Sequence, residues 1–181
     1  MKRTIGIGIA VLLVLAFAHA GWADDEGEFR YVVKFACGFN DTISSPGPAF
    51  GHYSTIVNVH NPSKHSVRFK KKVAVAFVNG ALADSVSPGA VSDFDHETLA
   101  GDQADGIDCF TIKRILGVSG VEGFLDGFLV IITRKELDVT ALYTAEQCRA
   151  LSVPAACTAL GVKAGVTTMA VQVIAPRKDS D

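Results

Sequence analysis

The sequence predicts an all-β protein: an antiparallel β-sandwich of the immunoglobulin-like, Greek-key kind with one or two short helices. Three observations lead there. Apolar and polar residues alternate with period two in several segments, the signature of strands with one buried face. Gly, Pro, Asn and Ser punctuate most of the gaps between those segments. Helical periodicity is confined to two short stretches, and no repeat or low-complexity tract is present.

Residues 1–20 precede that pattern and read as a secretory signal peptide. Lys2 and Arg3 supply the positive start, Ile5 to Phe17 the apolar run, and Ala18-His19-Ala20 a small-x-small cleavage site before Gly21. Ala23 offers a second site. An uncleaved anchor is the rival reading, disfavoured by the shortness of the run. The expected location is therefore secreted or periplasmic. Residues 21–28 read as an acidic flexible tail.

Phe29, Tyr31, Val33, Phe35 and Cys37 then alternate with Arg30, Lys34 and Ala36, which predicts the first strand. Residues 40–51, with Pro46, Gly47 and Pro48, read as a surface loop. Ser54 to His60 is the second strand, with Thr55, Val57 and Val59 on one face. Asn61-Pro62-Ser63 breaks it, because Pro62 cannot donate to a ladder. Val67 to Val78 is a long third strand, and the short break predicts an antiparallel hairpin of the two. Asn79-Gly80 signals a turn. Val91 to Phe94 and Gln103 to Asp108 read as short strands.

Asp108 is placed to N-cap a helix of about two turns, with Ile112, Ile115 and Leu116 on its buried stripe and Gly117 at C′. Phe124 to Thr133 is the most apolar stretch and reads as a central strand covered on both sides. Leu137 to Thr144 follows a charged turn. Thr144-Ala145-Glu146-Gln147 has capping-box spacing and predicts a second short helix. Residues 148–157 interrupt the β pattern. Thr167 to Ala175 supplies the last strand, so the domain spans residues 29–176 and ends in a polar tail at 177–181.

Without the leader, 161 residues remain, enough for one domain with a real core. Removing Lys2 and Arg3 from 17 basic residues leaves 15 against 19 acidic ones, a net charge of −4. That balance argues against nucleic-acid binding. No later apolar run is long enough to cross a bilayer.

Four cysteines remain, and an even number in an exported chain favours disulfides. Of three connectivities, Cys37–Cys109 with Cys148–Cys157 is favoured. The first would tie the end of one strand to the edge of another; the second is close in sequence. No C-x₂₋₄-C spacing suggests zinc.

The stretches Tyr31-Val-Val-Lys-Phe-Ala-Cys37-Gly38, Asn58-Val-His-Asn-Pro-Ser63, Ile107-Asp-Cys109, Gly127-Phe-Leu-Val-Ile131 and Leu137-Asp-Val-Thr-Ala-Leu-Tyr-Thr144 occur in that order. The set resembles a family of exported bacterial β-sandwich proteins without an assigned function, over residues 29–144 and the final strand. In architecture the pattern is similar to the soluble sensory-rhodopsin transducer family. Neither resemblance implies catalytic residues. The family resemblance does support the Cys37–Cys109 pairing, and it makes residues 148–157 look like an insertion.

Candidate chemistry is sparse. Asp93, Asp95, His96 and Glu97, followed by Asp102, Asp105 and Asp108, form an oxygen-rich segment that could hold Ca²⁺, but the EF-hand spacing is absent. His52, His60 and His65 fall around one break, and His60 and His65 could approach each other across it. Gly117-Val118-Ser119-Gly120-Val121 fails the nucleophile-elbow pattern at its last position. Asn40-Asp41-Thr42 matches a glycosylation acceptor, relevant only in a eukaryotic source.

Arg68-Phe69-Lys70-Lys71-Lys72 is the single basic run. Arg68, Lys70 and Lys72 share one strand face, which fits an edge strand guarded by Lys or a patch for anionic polysaccharide or lipid headgroups. Lys71, on the apolar face, hints at a bulge or a mid-strand position reaching solvent. These features point to a non-enzymatic binding or structural module with no cofactor or bound metal, and an unidentified protein or glycan partner. The alternative is a small metal-dependent or hydrolytic enzyme using residues 93–108. Oligomeric state is left open.

Overall fold

In the computed structural model, the described residues are 27–40, 48, 50–147 and 165–178. They form nine strands: β1 (Phe29–Asn40), β2 (Gly51–His60), β3 (Val67–Asn79), β4 (Asp95–Leu99), β5 (Ala104–Ile107), β6 (Phe124–Thr133), β7 (Asp138–Gln147), β8 (Gly165–Val173) and β9 (Arg177–Lys178). One α-helix, α1 (Cys109–Ile115), and a 3₁₀ turn (Gly80–Asp84) complete them. Every strand pairing is antiparallel, so the all-β class read from the sequence is the one found. Cys148 and Cys157 lie outside the described residues.

The main pairing path runs β4-β3-β6-β1-β2-β7-β8, with β5 added to β2 and β9 to β1. It is continuous because β1 serves two halves. Phe29 to Cys37 pair with β6, whereas Gly38 to Asn40 pair with the start of β2. Gly38 is the pivot: its φ is +97°, and a Cβ there would collide with the Gly123 carbonyl. Only glycine takes that backbone without strain. Just beyond the pivot, Asn79 donates from its amide to Asn40 Oδ1 and accepts from Phe124 N at 3.1 Å.

One apolar cluster takes residues from both halves: Tyr31, Val33, Phe35 and Cys37 from β1, Val57 and Val59 from β2, Leu129 and Ile131 from β6, Val139 and Ala141 from β7. Polar groups inside it are paired. The Tyr31 hydroxyl donates to Leu137 O at 2.8 Å and accepts from Leu137 N at 2.7 Å. Thr55 Oγ1 donates to Ala36 O and accepts from Ala36 N, tying β2 to the middle of β1. Cys37 and Cys109 are disulfide-bonded with Cα atoms 5.5 Å apart. The bridge lies where the edge of β2 passes from β1 to β5, and Thr55 N points at Cys109 Sγ from 3.4 Å.

Helix α1 follows its sequence signals. Asp108 accepts from Thr111 N at 2.8 Å, Ile112 is buried, and Gly117 takes φ +74° just past the C-cap.

Several expectations are corrected. β2 and β3 are not a hairpin: β2 pairs β1, β5 and β7, while β3 pairs β4 and β6. The break between them is instead a crossover held by Asn61, which is fully buried and donates to His65 O and Ala100 O at 2.8 Å. The capping-box residues 144–147 continue β7, because the ladders to β2 and β8 run out to Gln147 and outweigh local helix propensity. The strand expected at 91–94 starts at Asp95, and Val91 makes only an isolated bridge to Ala74. Part of the tail, Arg177–Lys178, pairs with Phe29–Arg30.

β6 is central, between β3 and β1, and its outer face is covered only in part: Ile132 is buried at 5% exposure, whereas Phe128 is 41% exposed. β3 is internal rather than an edge. Its bulge falls between Val75 and Phe77, away from Lys71, which is buried at 2% exposure.

Two stability outcomes follow. Removing the disulfide by Cys37→Ala and Cys109→Ala, which opens a separation of 72 residues, should cost about 4 kcal/mol in urea unfolding on the chain-entropy model. Gly38→Ala should cost at least about 2 kcal/mol, since it combines forbidden φ with a backbone clash; a substitution within 0.5 kcal/mol of wild type would show that β1 does not need its pivot.

Candidate functional site

The acidic segment does not converge on a point. β4 alternation sends Asp95 and Glu97 to the inner side of the sheet and Phe94 and His96 to the outer side. Asp93 is exposed ahead of the strand. Asp95 and Glu97 face Lys71: its ammonium bonds Glu97 and lies 3.7 Å from Asp95, which also pairs with Arg114 of α1 at 3.3 Å. With His96, Asp105 and Thr111 these residues line a cleft of about 320 Å³ where β3 and β4 meet β5 and α1. The carboxylates serve as counter-charges for a lysine that burial would otherwise penalise. Asp108 is spent on the helix cap. No three His, Cys, Asp or Glu residues group to hold a metal among the described residues.

The histidines are scattered too. His60 does not meet His65. Its Nδ1 lies 3.0 Å from Asp138 and its Nε2 3.2 Å from Asp102. Those carboxylates, Asp138 foremost, raise the imidazole pKa above its ordinary value of 6.5. Asp102 is presented from a left-handed backbone, φ +59°, with its N–H bonded to Asn61 O and Ser63 O. His52 stacks on Phe39 with ring centroids 4.5 Å apart. Ser119 is exposed in the loop after α1. Burial lifts the Tyr31 phenol pKa, opposed by its bond to Leu137.

The feature that does assemble is the outer face of β4-β3-β6-β1. Strand register places Lys34 beside Phe128, Val32 beside Val130, Val130 beside Lys72, and Lys70 between Ile132 and His96. Cations and rings are in direct contact. Lys34 Nζ lies 5.1 Å from the Phe128 centroid, and Lys70 and Lys72 lie 5.1 and 4.9 Å from that of Phe94. Phe94, at 39% exposure, and Phe128 still present half-open rings. Two carboxylates temper the charge: Asp126 pairs with Lys34 at 2.6 Å and Glu28 with Lys70 at 3.3 Å. Arg68, Lys72 and Arg134 have no carboxylate partner among the described residues.

At one end this face opens into a cleft of about 430 Å³, lined by Arg68, Lys70, His96, Arg134 and Lys135, by the carboxylate Glu28, and by Ile132. The basic run at 68–72 signals half of this surface in the sequence. Lys34, Phe94 and Phe128 carry no such signal, since only the strand order brings them alongside it.

No protein-family model, no curated protein and no solved structure matches the chain.

Two outcomes test this account. Glu97→Ala strips the buried Lys71 of its nearest counter-charge. Because Glu97 is itself partly exposed, the cost should fall at or below the low end of the range for breaking a buried pair, about 2–3 kcal/mol. His60, with its pKa raised on folding, contributes stability that is full below the unfolded value of 6.5 and lost as pH rises through the folded value. The difference in urea midpoint between wild type and His60→Asn should therefore be larger at pH 5.5 than at pH 9; equal differences would remove the role assigned to Asp138 and Asp102.

Proposed function

We propose that the chain is an exported, non-enzymatic binding module whose working surface is the outer face of β4-β3-β6-β1. The observation that carries this is the row of cations and half-exposed phenyl rings on strands internal to the sheet. Lysines on an edge strand need no explanation beyond protection from aggregation. β3 is flanked by β4 and β6, so that explanation does not cover Arg68, Lys70 and Lys72. Three cations at alternate positions of one strand repel one another, and an anionic partner would offset that repulsion.

The enzyme reading draws less support. Asp95 and Glu97, which share a cleft with His96 and Asp105, are engaged by Lys71 and Arg114, and Asp93 is not among the residues that line it. Export is supported by the leader pattern of residues 1–20 and by the Cys37–Cys109 bridge, which suits an oxidising compartment.

The expected behaviour is retention on a sulfopropyl cation exchanger at pH 7.5 and low salt, despite a mature net charge of −4. Lys70→Gln with Lys72→Gln should abolish retention. Asn58→Asp with Gln172→Glu, an equal change in net charge on the other half, should not. An unretained wild type, or two variants that elute alike, would refute the assignment of the face.

A further inference from the structure

We infer that the ligand of this face is an anionic polysaccharide of the uronate type, lying across the strands from Phe128 to Phe94 and on toward the Arg68–Arg134 cleft. This rests on the binding-module reading above and names its ligand.

The first argument is length. Phe128 lies on β6, and Phe94 immediately precedes β4, two strands away. Two strand spacings alone separate them by about 10 Å. The cleft walled by Arg68 and Arg134 extends the strip further. A single sugar or a free anion would touch one ring only, whereas a chain of sugars reaches both.

The second argument is chemistry. Each ring is flanked by an ammonium: Lys34 by Phe128, Lys70 and Lys72 by Phe94. A pyranose offers an apolar C–H face for the ring, and a uronate adds a carboxylate for the neighbouring cation. Alternating rings and cations thus match a polymer in which every unit carries both features. Lys72, which has no carboxylate partner among the described residues, stands open to such a charge.

The third argument separates this ligand from an anionic membrane. A membrane-binding surface drives apolar side chains beyond its cations into the acyl region. Here the rings are borne on a sheet face, with ammonium groups about 5 Å from their centroids. Insertion would drag those charges into hydrocarbon, whereas stacking on a sugar leaves them in water.

The test is isothermal titration of the purified protein with hexagalacturonate, with maltohexaose as the neutral counterpart and phosphatidylglycerol–phosphatidylcholine vesicles as the membrane counterpart. Hexagalacturonate should bind and weaken steeply with added NaCl, and maltohexaose should not bind. Phe94→Ala and Phe128→Ala should each weaken binding at least tenfold while sulfopropyl retention persists. Lys72→Gln removes a cation while leaving both rings in place, and should also weaken binding. Unchanged far-ultraviolet dichroism and urea midpoint establish that each variant is folded. Absence of hexagalacturonate binding, equal affinity of the ring variants, or binding to vesicles in preference to the hexamer would each overturn the uronate assignment. If retention on the exchanger survives any of these, the face remains a binding surface with a different ligand; if retention is also absent, both readings fall.

Discussion

The fold depends on β1 belonging to two halves at once. A strand that changes partners part-way must leave one ladder and enter another without stranding its backbone groups. Gly38 supplies the backbone that makes the change, and Asn79 binds both sides of it through Asn40 and Phe124. The gap left on the edge of β2 is filled by Thr55 reaching Ala36 and by Cys109 bonded to Cys37. The disulfide therefore does more than shorten the unfolded chain. It fixes α1 and β5 against the strand from which both halves are hung, and the Tyr31–Leu137 bonds do the same for the start of β7 at the other end of β1.

Two polar groups inside the protein follow from that arrangement. The crossover from β2 to β3 carries the chain from one half to the other, and its backbone needs partners that no ladder provides. Asn61 supplies them with one amide, which binds carbonyls on both the 61–65 and 99–103 turns. Lys71 lies where β3 and β4 meet β5 and α1. There the apolar core gives way to an ion network shared by β3, β4 and α1. A buried lysine in that position is tolerable only with its carboxylates in place, which commits the acidic residues of β4 to structure.

Much of this was legible in the sequence. Alternation located the strands, and Asp108 and Gly117 bounded the helix. Inward and outward faces of β1, β2 and β3 as far as Val75 read correctly because side-chain direction in a strand is fixed by period two, and the bulge before Phe77 breaks that period. What could not be read was which strand lies beside which. Pairing depends on the path of the whole chain, so β2 and β3 looked like a hairpin and β6 looked doubly covered. The same limit hid the candidate site. Arg68, Lys70 and Lys72 were visible as a run, but Phe94 and Phe128 become its neighbours only through the β4-β3-β6 order. The Asp93–Glu97 cluster failed for the opposite reason: residues adjacent in sequence are separated by the pleat.

The two outer surfaces of the sheet then differ in a way the net charge conceals. On the second half, β2, β7 and β8 present Ile56, Leu142, Val171 and Val173 with Asn58 and Thr140, and the carboxylates on that face, Asp138 and Glu146, are joined by no Lys or Arg. On the first, cations and phenyl rings interleave over four strands. Both faces cover the same core, and packing makes no demand on either to be cationic. A domain that is acidic as a whole gains nothing in solubility by gathering its basic residues on one side. It does gain a local field of the opposite sign, strong within a Debye length of about 8 Å at physiological salt. The electrostatic asymmetry is thus a property of one sheet face, set by strand order, and it gives the molecule a direction from which to be approached.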